Sequence, residues 1–207
     1  MFPLYIVTDP CLIAPRITLT ETVEQAIAGG ARLIQYRDKT SSRRALYEQA
    51  KAIRSITTQY DVTLIINDHV DLALAVSAEG VHLGQEDMPI GIARKILGKG
   101  AIIGQSTHTV EEAIQAASEG ADYIGFGPIF ATQTKTNAKM PVGIEALIAV
   151  KRAVQSPVYA IGGIGLSHLP AIFSAGASGV AVISGLAGDI QSNVRKWVKA
   201  IHPLRVV

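Results

Sequence analysis

The sequence predicts a single-domain α/β protein, a (β/α)8 TIM barrel over residues 1–207, and three observations carry that prediction. Eight short apolar runs recur along the chain, segments of helical period separate them, and the runs are continuously apolar rather than alternating. Continuous apolar runs are what parallel strands buried on both faces require. Eight such units average about 26 residues each, room for a strand, a turn and three helical turns, near the lower size limit of an eight-fold barrel. A doubly wound open sheet is the competing topology, because the strand count decides between them. No Pro/Ser-rich linker or break in composition suggests a second domain.

Taken in order, the first run is Leu4 to Thr8, and the Thr18 to Glu21 spacing beyond it matches a capping box, marking a helix start independently of the apolar pattern. Gly29 or Gly30 closes that helix ahead of the second run, Leu33 to Arg37. Thr63 to Asn67 is the third run. Gly80 reads as the C-cap of the helix after it and also opens the fourth run, Gly80 to Gly84. Asp87 followed by Met88-Pro89 suits a helix start, with Asp as cap and Pro in the first turn; Gly98 suits the end. Ile102 to Ser106 is the fifth run. A second capping box, Thr109 to Glu112, precedes Val110, Ala113, Ile114 and Ala117, which share one helical face before Gly120. Tyr123 to Phe126, Val158 to Gly162 and Gly179 to Ser184 complete the strands, with Gly176 as the last predicted glycine cap. Ile190, Val194, Trp197, Val198 and Ile201 form the apolar stripe of the closing helix.

Composition excludes several functional classes. The chain is 48% hydrophobic and 17% charged with a net charge of +2, too apolar and too nearly neutral for disorder. A charge of +2 without a basic tract leaves no stripe to track nucleic-acid phosphates. No apolar run reaches the roughly 18 residues of a membrane helix, and Asp9 interrupts the apolar start before a signal-peptide core forms. The lone Cys11 cannot make an internal disulfide and suits a reducing compartment, so a cytoplasmic location is expected. A homo-oligomer is compatible with all of this.

A parallel barrel carries its chemistry on the loops after its strands, so polar residues just past each apolar run are the informative ones. They are Gln35, Arg37 and Lys39 after the second strand, Asn67, Asp68 and His69 after the third, and Gln85 and Asp87 after the fourth. Ser106 and His108 follow the fifth, Thr132, Thr134 and Lys135 the sixth, Gly162 and Gly163 the seventh, and Ser184 and Gly185 the eighth. Each has a plainer reading: Asp68 and Asp87 as helix caps, Gly162-Gly163 as a tight turn, the cations as surface charge, His108 as a local hydrogen-bonding residue beside the Thr109 cap. Two carboxylates at adjacent strand ends near Asn67 and Gln85 make an all-oxygen setting suited to Mg2+, whereas zinc has no comparable ligand set. Loops after strands seven and eight commonly hold phosphate, where glycine lets backbone N–H groups approach an anion. Two anion sites result, one of cations and metal, one of glycines.

The motifs carrying these residues resemble the thiamine-phosphate synthase family. They are Leu4 to Asp9, Gln35-x-Arg37-x-Lys39, Asn67 to Ala73, Gly80 to Asp87, Gly104-x-Ser106-x-His108, Gly127 to Lys135, Ala160 to Ile164 and Val182 to Ser184, which together cover nearly the whole chain. The resemblance implies an enzyme joining 4-amino-2-methyl-5-hydroxymethylpyrimidine diphosphate to 4-methyl-5-(2-hydroxyethyl)thiazole phosphate, or its carboxylated form, by a Mg2+-assisted dissociative substitution that releases diphosphate. It implies that Gln35, Arg37, Lys39, Asn67, Ser106 and Lys135 hold the pyrimidine diphosphate, with Lys39, Ser106 and Lys135 at the reacting centre. Asp68 and Asp87 would bind the metal. Thr132, Thr134, Gly162 or Gly163, Ile183 and Ser184 would hold the thiazole phosphate. A dissociative route needs no protein nucleophile, so Cys11 is expected to form no covalent intermediate. Closure of the Ala131 to Pro141 loop would exclude water, although Gln133 to Met140 departs from the proline-rich form common in the family. The competing functions are a thiazole tautomerase using His108 as acid/base, and a non-catalytic sensor of phosphorylated ligands.

Overall fold

The structure is a computed structural model and describes residues 2–10, 17–132, 140–183 and 188–205. Eight strands alternate with eight principal helices: β1 Leu4–Val7, α1 Leu19–Ala28, β2 Leu33–Tyr36, α2 Arg43–Gln59, β3 Thr63–Asn67, α3 Val70–Ala75, β4 Gly80–Leu83 and α4 Ile90–Leu97 form the first half. The second half is β5 Ile102–Thr107, α5 Val110–Ser118, β6 Tyr123–Phe126, α6 Gly143–Ala153, β7 Val158–Ile161, α7 Leu169–Ser174, β8 Gly179–Val182 and α8 Ile190–Ile201. The strands pair in parallel in chain order, and β8 returns to β1 through Leu4–Val180 and Ile6–Val182, so the sheet is a closed barrel rather than an open one. Each strand falls within its predicted apolar run except that Thr107 extends β5.

Alternation along each strand divides the core in two. Leu4 and Ile6 face outward with Ile34, Leu64, Ile66, Val81, Ile103 and Ile124 against helix residues such as Val23, Ile53, Leu147, Val194 and Trp197. Tyr5 and Val7 face inward with Leu33, Ile65, Tyr123, Tyr159, Ala181 and Ile183, filling the barrel. Burial of a large apolar side chain contributes roughly 1.5–3 kcal/mol, so the outer layer, with most of these residues, dominates the stability.

Three local expectations need correction. Gly80 caps no helix, because α3 already ends at Val76 and Ser77 takes the left-handed turn at φ 53°. Gly80 instead opens β4, where a Cβ would lie 1.9 Å from the Ile102 carbonyl oxygen, so close strand approach is what excludes a side chain. At Thr18 both halves of the capping box form, but at Thr109 only the forward half does, with the hydroxyl accepting from Glu112 N at 3.1 Å. The Glu112 carboxylate accepts instead from His108 N at 2.6 Å, one residue before the cap. Pro89 is the N-cap of α4 and receives no help from Asp87.

Candidate active site

The carboxyl ends of the strands bring the predicted residues to one mouth. Gln35, Arg37, Asn67, Ser106 and Ile183 line a single cleft, together with Tyr5, His82, Tyr159 and Ile161. Closure makes this possible: β2 and β5 are not adjacent, yet their inward residues face one another across the barrel. Arg37 sits at the end of β2 because its N–H donates to the Thr8 hydroxyl at 3.0 Å, and its guanidinium pairs with Asp9 at 2.7 Å. Lys39 pairs with Asp68. Each of these cations is thus already paired with a carboxylate at the mouth.

Neither Asp68 nor Asp87 is a helix cap. Asp68 sits in left-handed backbone, φ 61°, held by its N–H on the His82 carbonyl at 2.8 Å, and the cap position of α3 falls to His69, which makes no side-chain cap bond. Asp87 accepts from Gly84 N at 2.6 Å, and the two carboxyl groups lie within hydrogen-bonding reach of each other. Their titrations are pushed apart. Burial raises the Asp68 carboxyl, but the Lys39 ammonium and the contact with Asp87 outweigh it and hold Asp68 below its ordinary range. Burial and the neighbouring Asp68 charge raise Asp87, opposed by the Gly84 N–H. Two oxygen donors in contact, one of them reluctant to ionise, fit a divalent hard cation, which would relieve that repulsion. No group of three His, Cys, Asp or Glu side chains gathers at a metal-binding spacing among the described residues, so water or substrate oxygens would complete a Mg2+ shell. The Gln85 side chain lies beside them, its amide nitrogen donating to the Ser106 carbonyl at 2.5 Å.

Across the mouth the site is built from backbone. Gly162 and Gly163 both have positive φ, 96° and 64°, and a Cβ on Gly163 would meet the Ala131 carbonyl oxygen at 2.4 Å. The turn is latched by Ile129 N on the Ile161 carbonyl at 2.9 Å and Phe130 N on the Gly162 carbonyl at 3.0 Å. The Phe130 and His168 rings stack with centroids 4.0 Å apart, joining the loop after β6 to the loop after β7. An anion could thus meet main-chain amides without side chains intervening. Ile183 is buried at the same rim, and Thr132 ends the described part of its loop. Thr134, Lys135, Ser184, Gly185 and Cys11 lie outside the described residues, as does the centre of the Ala131 to Pro141 loop. His108 Nδ1 donates to the Gly127 carbonyl at 2.5 Å, tying the end of β5 to the end of β6.

Apart from Gln35 and Ser106, the residues that hold the site from beneath were not predicted from the sequence. Asp9 orients Arg37, and four buried or half-buried side chains, Gln35, Tyr5, Tyr123 and His82, form a hydrogen-bonded chain ending on Ser106. The available signal was aromatic residues with polar tips inside strands, at positions where a purely apolar barrel would carry Val or Ile.

With this geometry in view, comparison with known proteins is specific. Residues 4–186 match the family model described as thiamine monophosphate synthase. The chain is 48% identical over 200 residues to thiamine-phosphate synthase of Ruminiclostridium cellulolyticum, covering 96% of this chain and 94% of that one. It is 45% identical over 195 residues to the synthase of Chloroflexus aurantiacus, covering 93% and 89%. A solved thiamine phosphate pyrophosphorylase from Pyrococcus furiosus superposes with a TM-score of 0.88 at 38% identity, over 98% of this chain and 96% of that one. The chain therefore belongs to the thiamine-phosphate synthase family, transferases of thiamine biosynthesis.

Proposed function

We propose that this mouth joins 4-amino-2-methyl-5-hydroxymethylpyrimidine diphosphate to a thiazole phosphate, with Gln35, Arg37, Lys39, Asn67, Ser106 and Lys135 on the first substrate. Thr132, Thr134, Gly162, Gly163, Ile183 and Ser184 hold the second. The observation that carries the reading is the contact between Asp68 and Asp87 at the cation-bearing strand ends, across the mouth from a glycine turn. A Mg2+ ion held by these two carboxylates would supply charge for the leaving diphosphate. Arg37 and Lys39, released in part from Asp9 and Asp68, neutralise the oxygens that gain charge as the C–O bond breaks. The aminopyrimidine delocalises the resulting cation, and the thiazole nitrogen attacks it from a position set by its anchored phosphate. The reading takes residues 1–207 as one cytoplasmic domain, and none of the described helices is long and apolar enough to cross a membrane.

Purified protein with both substrates and Mg2+ is expected to release one diphosphate per thiamine phosphate formed. Ligand binding without turnover would leave a sensor, and turnover of a thiazole isomer alone would leave a tautomerase. The His108 bond to Gly127 supports a tie between strands, so His108→Ala is expected to keep substantial coupling activity.

A further inference from the structure

A chain of buried hydrogen bonds crosses the barrel interior from one wall of the cleft to the other. Gln35 Nε2 donates to the Tyr5 hydroxyl at 2.7 Å, Tyr5 and Tyr123 share a hydrogen bond at 2.7 Å, Tyr123 meets His82 Nδ1 at 2.9 Å, and His82 Nε2 meets the Ser106 hydroxyl at 2.8 Å. Each hydroxyl owns one proton, so the direction set at one end propagates. Tyr5 receives from Gln35 and must donate to Tyr123. Tyr123 then donates to His82 Nδ1. The imidazole keeps its proton on Nε2 and gives it to the Ser106 oxygen, whose own proton is left to point into the cleft. A doubly protonated imidazole does not fit, because it would leave the Tyr123 proton without an acceptor in a fully buried position, a costly arrangement. Burial also pushes the Tyr5 and Tyr123 phenols up, Tyr5 eased somewhat by its own hydrogen bonds, so both remain proton donors.

The two ends are consequently coupled. Gln35 directs its amide nitrogen to Tyr5 with one N–H, which leaves its carbonyl oxygen as the acceptor for the cleft it lines, and Ser106 offers a donor. We infer that Tyr5, Tyr123 and His82 are positioning residues that set the donor and acceptor pattern of the cleft, and thereby select an aminopyrimidine over its oxo counterpart. An exocyclic amino group donates to Gln35 while a ring nitrogen accepts from Ser106. An oxopyrimidine sets its carbonyl oxygen against the Gln35 carbonyl oxygen, and that contact is mismatched, whereas the Ser106 hydroxyl keeps a second lone pair for a ring N–H. The inference rests on the proposed function and adds the means by which the first substrate is chosen.

The test is calorimetric binding, with Mg2+ present, of the 4-amino and 4-oxo forms of the pyrimidine diphosphate. The unaltered protein is expected to prefer the amino form by about 100-fold or more, as sites that mispair buried polar groups do. Tyr123→Phe and Tyr5→Phe, each cutting the chain at a different link, should reduce that preference to roughly tenfold or less. Tyr159 belongs to the same aromatic layer, but its hydroxyl donates to the Phe2 carbonyl at 2.6 Å, so Tyr159→Phe should keep the ratio. The ratio, rather than overall affinity, separates selection from general loss of structure. A preference retained in both chain variants, lost equally in Tyr159→Phe, or reversed in the unaltered protein would overturn the inference while leaving the coupling reaction standing. Failure of the 4-amino form to bind would sink the proposed function and this inference with it.

Discussion

The two ends of the barrel use the same kinds of ion pair to opposite effect. At the amino ends of the strands, Glu79 precedes β4, pairs with Arg54 of α2 at 2.6 Å and accepts from Leu64 N of β3 at 2.8 Å. Asp122 repeats the device before β6, pairing with Arg94 of α4 at 2.6 Å and accepting from Ile103 N of β5 at 2.7 Å. Each carboxylate there is satisfied by one cation and one strand N–H. At the carboxyl ends, Asp68 and Asp87 share the Lys39 ammonium and press on each other. Charge at the first end is settled within the fold, whereas charge at the second is left for a ligand to settle. Structural carboxylates and functional ones therefore differ in what remains unanswered around them, not in their degree of burial alone.

Removing an unsettled carboxylate should produce the largest effect. Asp87→Ala is expected to lower kcat/KM for the pyrimidine diphosphate by about 100-fold or more, since one of the two carboxylates proposed to hold the metal disappears. KM for the thiazole phosphate should stay within about threefold, because the site proposed for it is built from the β6 and β7 turns. Equal losses for both substrates in steady-state kinetics would break the division of the mouth into two anion sites. Gly163→Ala tests the other half. Left-handed backbone costs an L-residue roughly 1–2 kcal/mol, and the added methyl also meets the Ala131 carbonyl oxygen at 2.4 Å. KM for the thiazole phosphate should rise about tenfold, with a much smaller change for the diphosphate substrate; an unchanged KM would remove the glycine turn from the phosphate site.

The sequence revealed most of what is local and little of what closure creates. Strand positions were legible because a strand buried on both faces leaves a continuous apolar run bounded by polar residues, and the mouth residues were legible because they follow those runs directly. Gly80 was misread because a glycine between a helix and a strand has two sufficient reasons to exist, a left-handed cap or a close approach, and only strand pairing with Ile102 distinguishes them. The Asp9–Arg37 pair spans 28 residues and the Tyr5–Tyr123 contact 118, so neither leaves a periodic trace. Continuous apolar strands also conceal which alternate set faces inward, and that hid the polar chain beneath the cleft.

At the settled end, Arg94→Ala should change stability and not chemistry. Arg94 joins the Ala101 and Gly120 carbonyls and Asp122, so its loss leaves several polar groups short of a partner, for about 1–2 kcal/mol by chemical denaturation. Both KM values should remain as they were. A kinetic defect without loss of stability would show that the two ends are coupled and would undo the contrast between them.

Asp38 supplies the finest test, because it lies at the mouth yet is satisfied like a carboxylate of the opposite end. Its Oδ1 accepts from Thr40 N at 2.9 Å, Thr40 Oγ1 at 3.1 Å and Ser41 N at 3.1 Å, closing the turn between Arg37 and α2. Burial works to raise its carboxyl, and these hydrogen bonds together hold it below the ordinary carboxylate range. A depressed folded pKa adds stability that is fully present above the unfolded value near pH 4 and fades as pH falls through the lower folded value. Asp38→Asn keeps the acceptor but not the charge, so it should cost about 0.5–1 kcal/mol at pH 7. That deficit should shrink as denaturation is repeated from pH 5 toward pH 2. A deficit constant across that range would mean the charge of Asp38 is unimportant to the turn. A shrinking deficit would show that local satisfaction, more than position in the barrel, decides whether a carboxylate serves the fold or awaits a ligand.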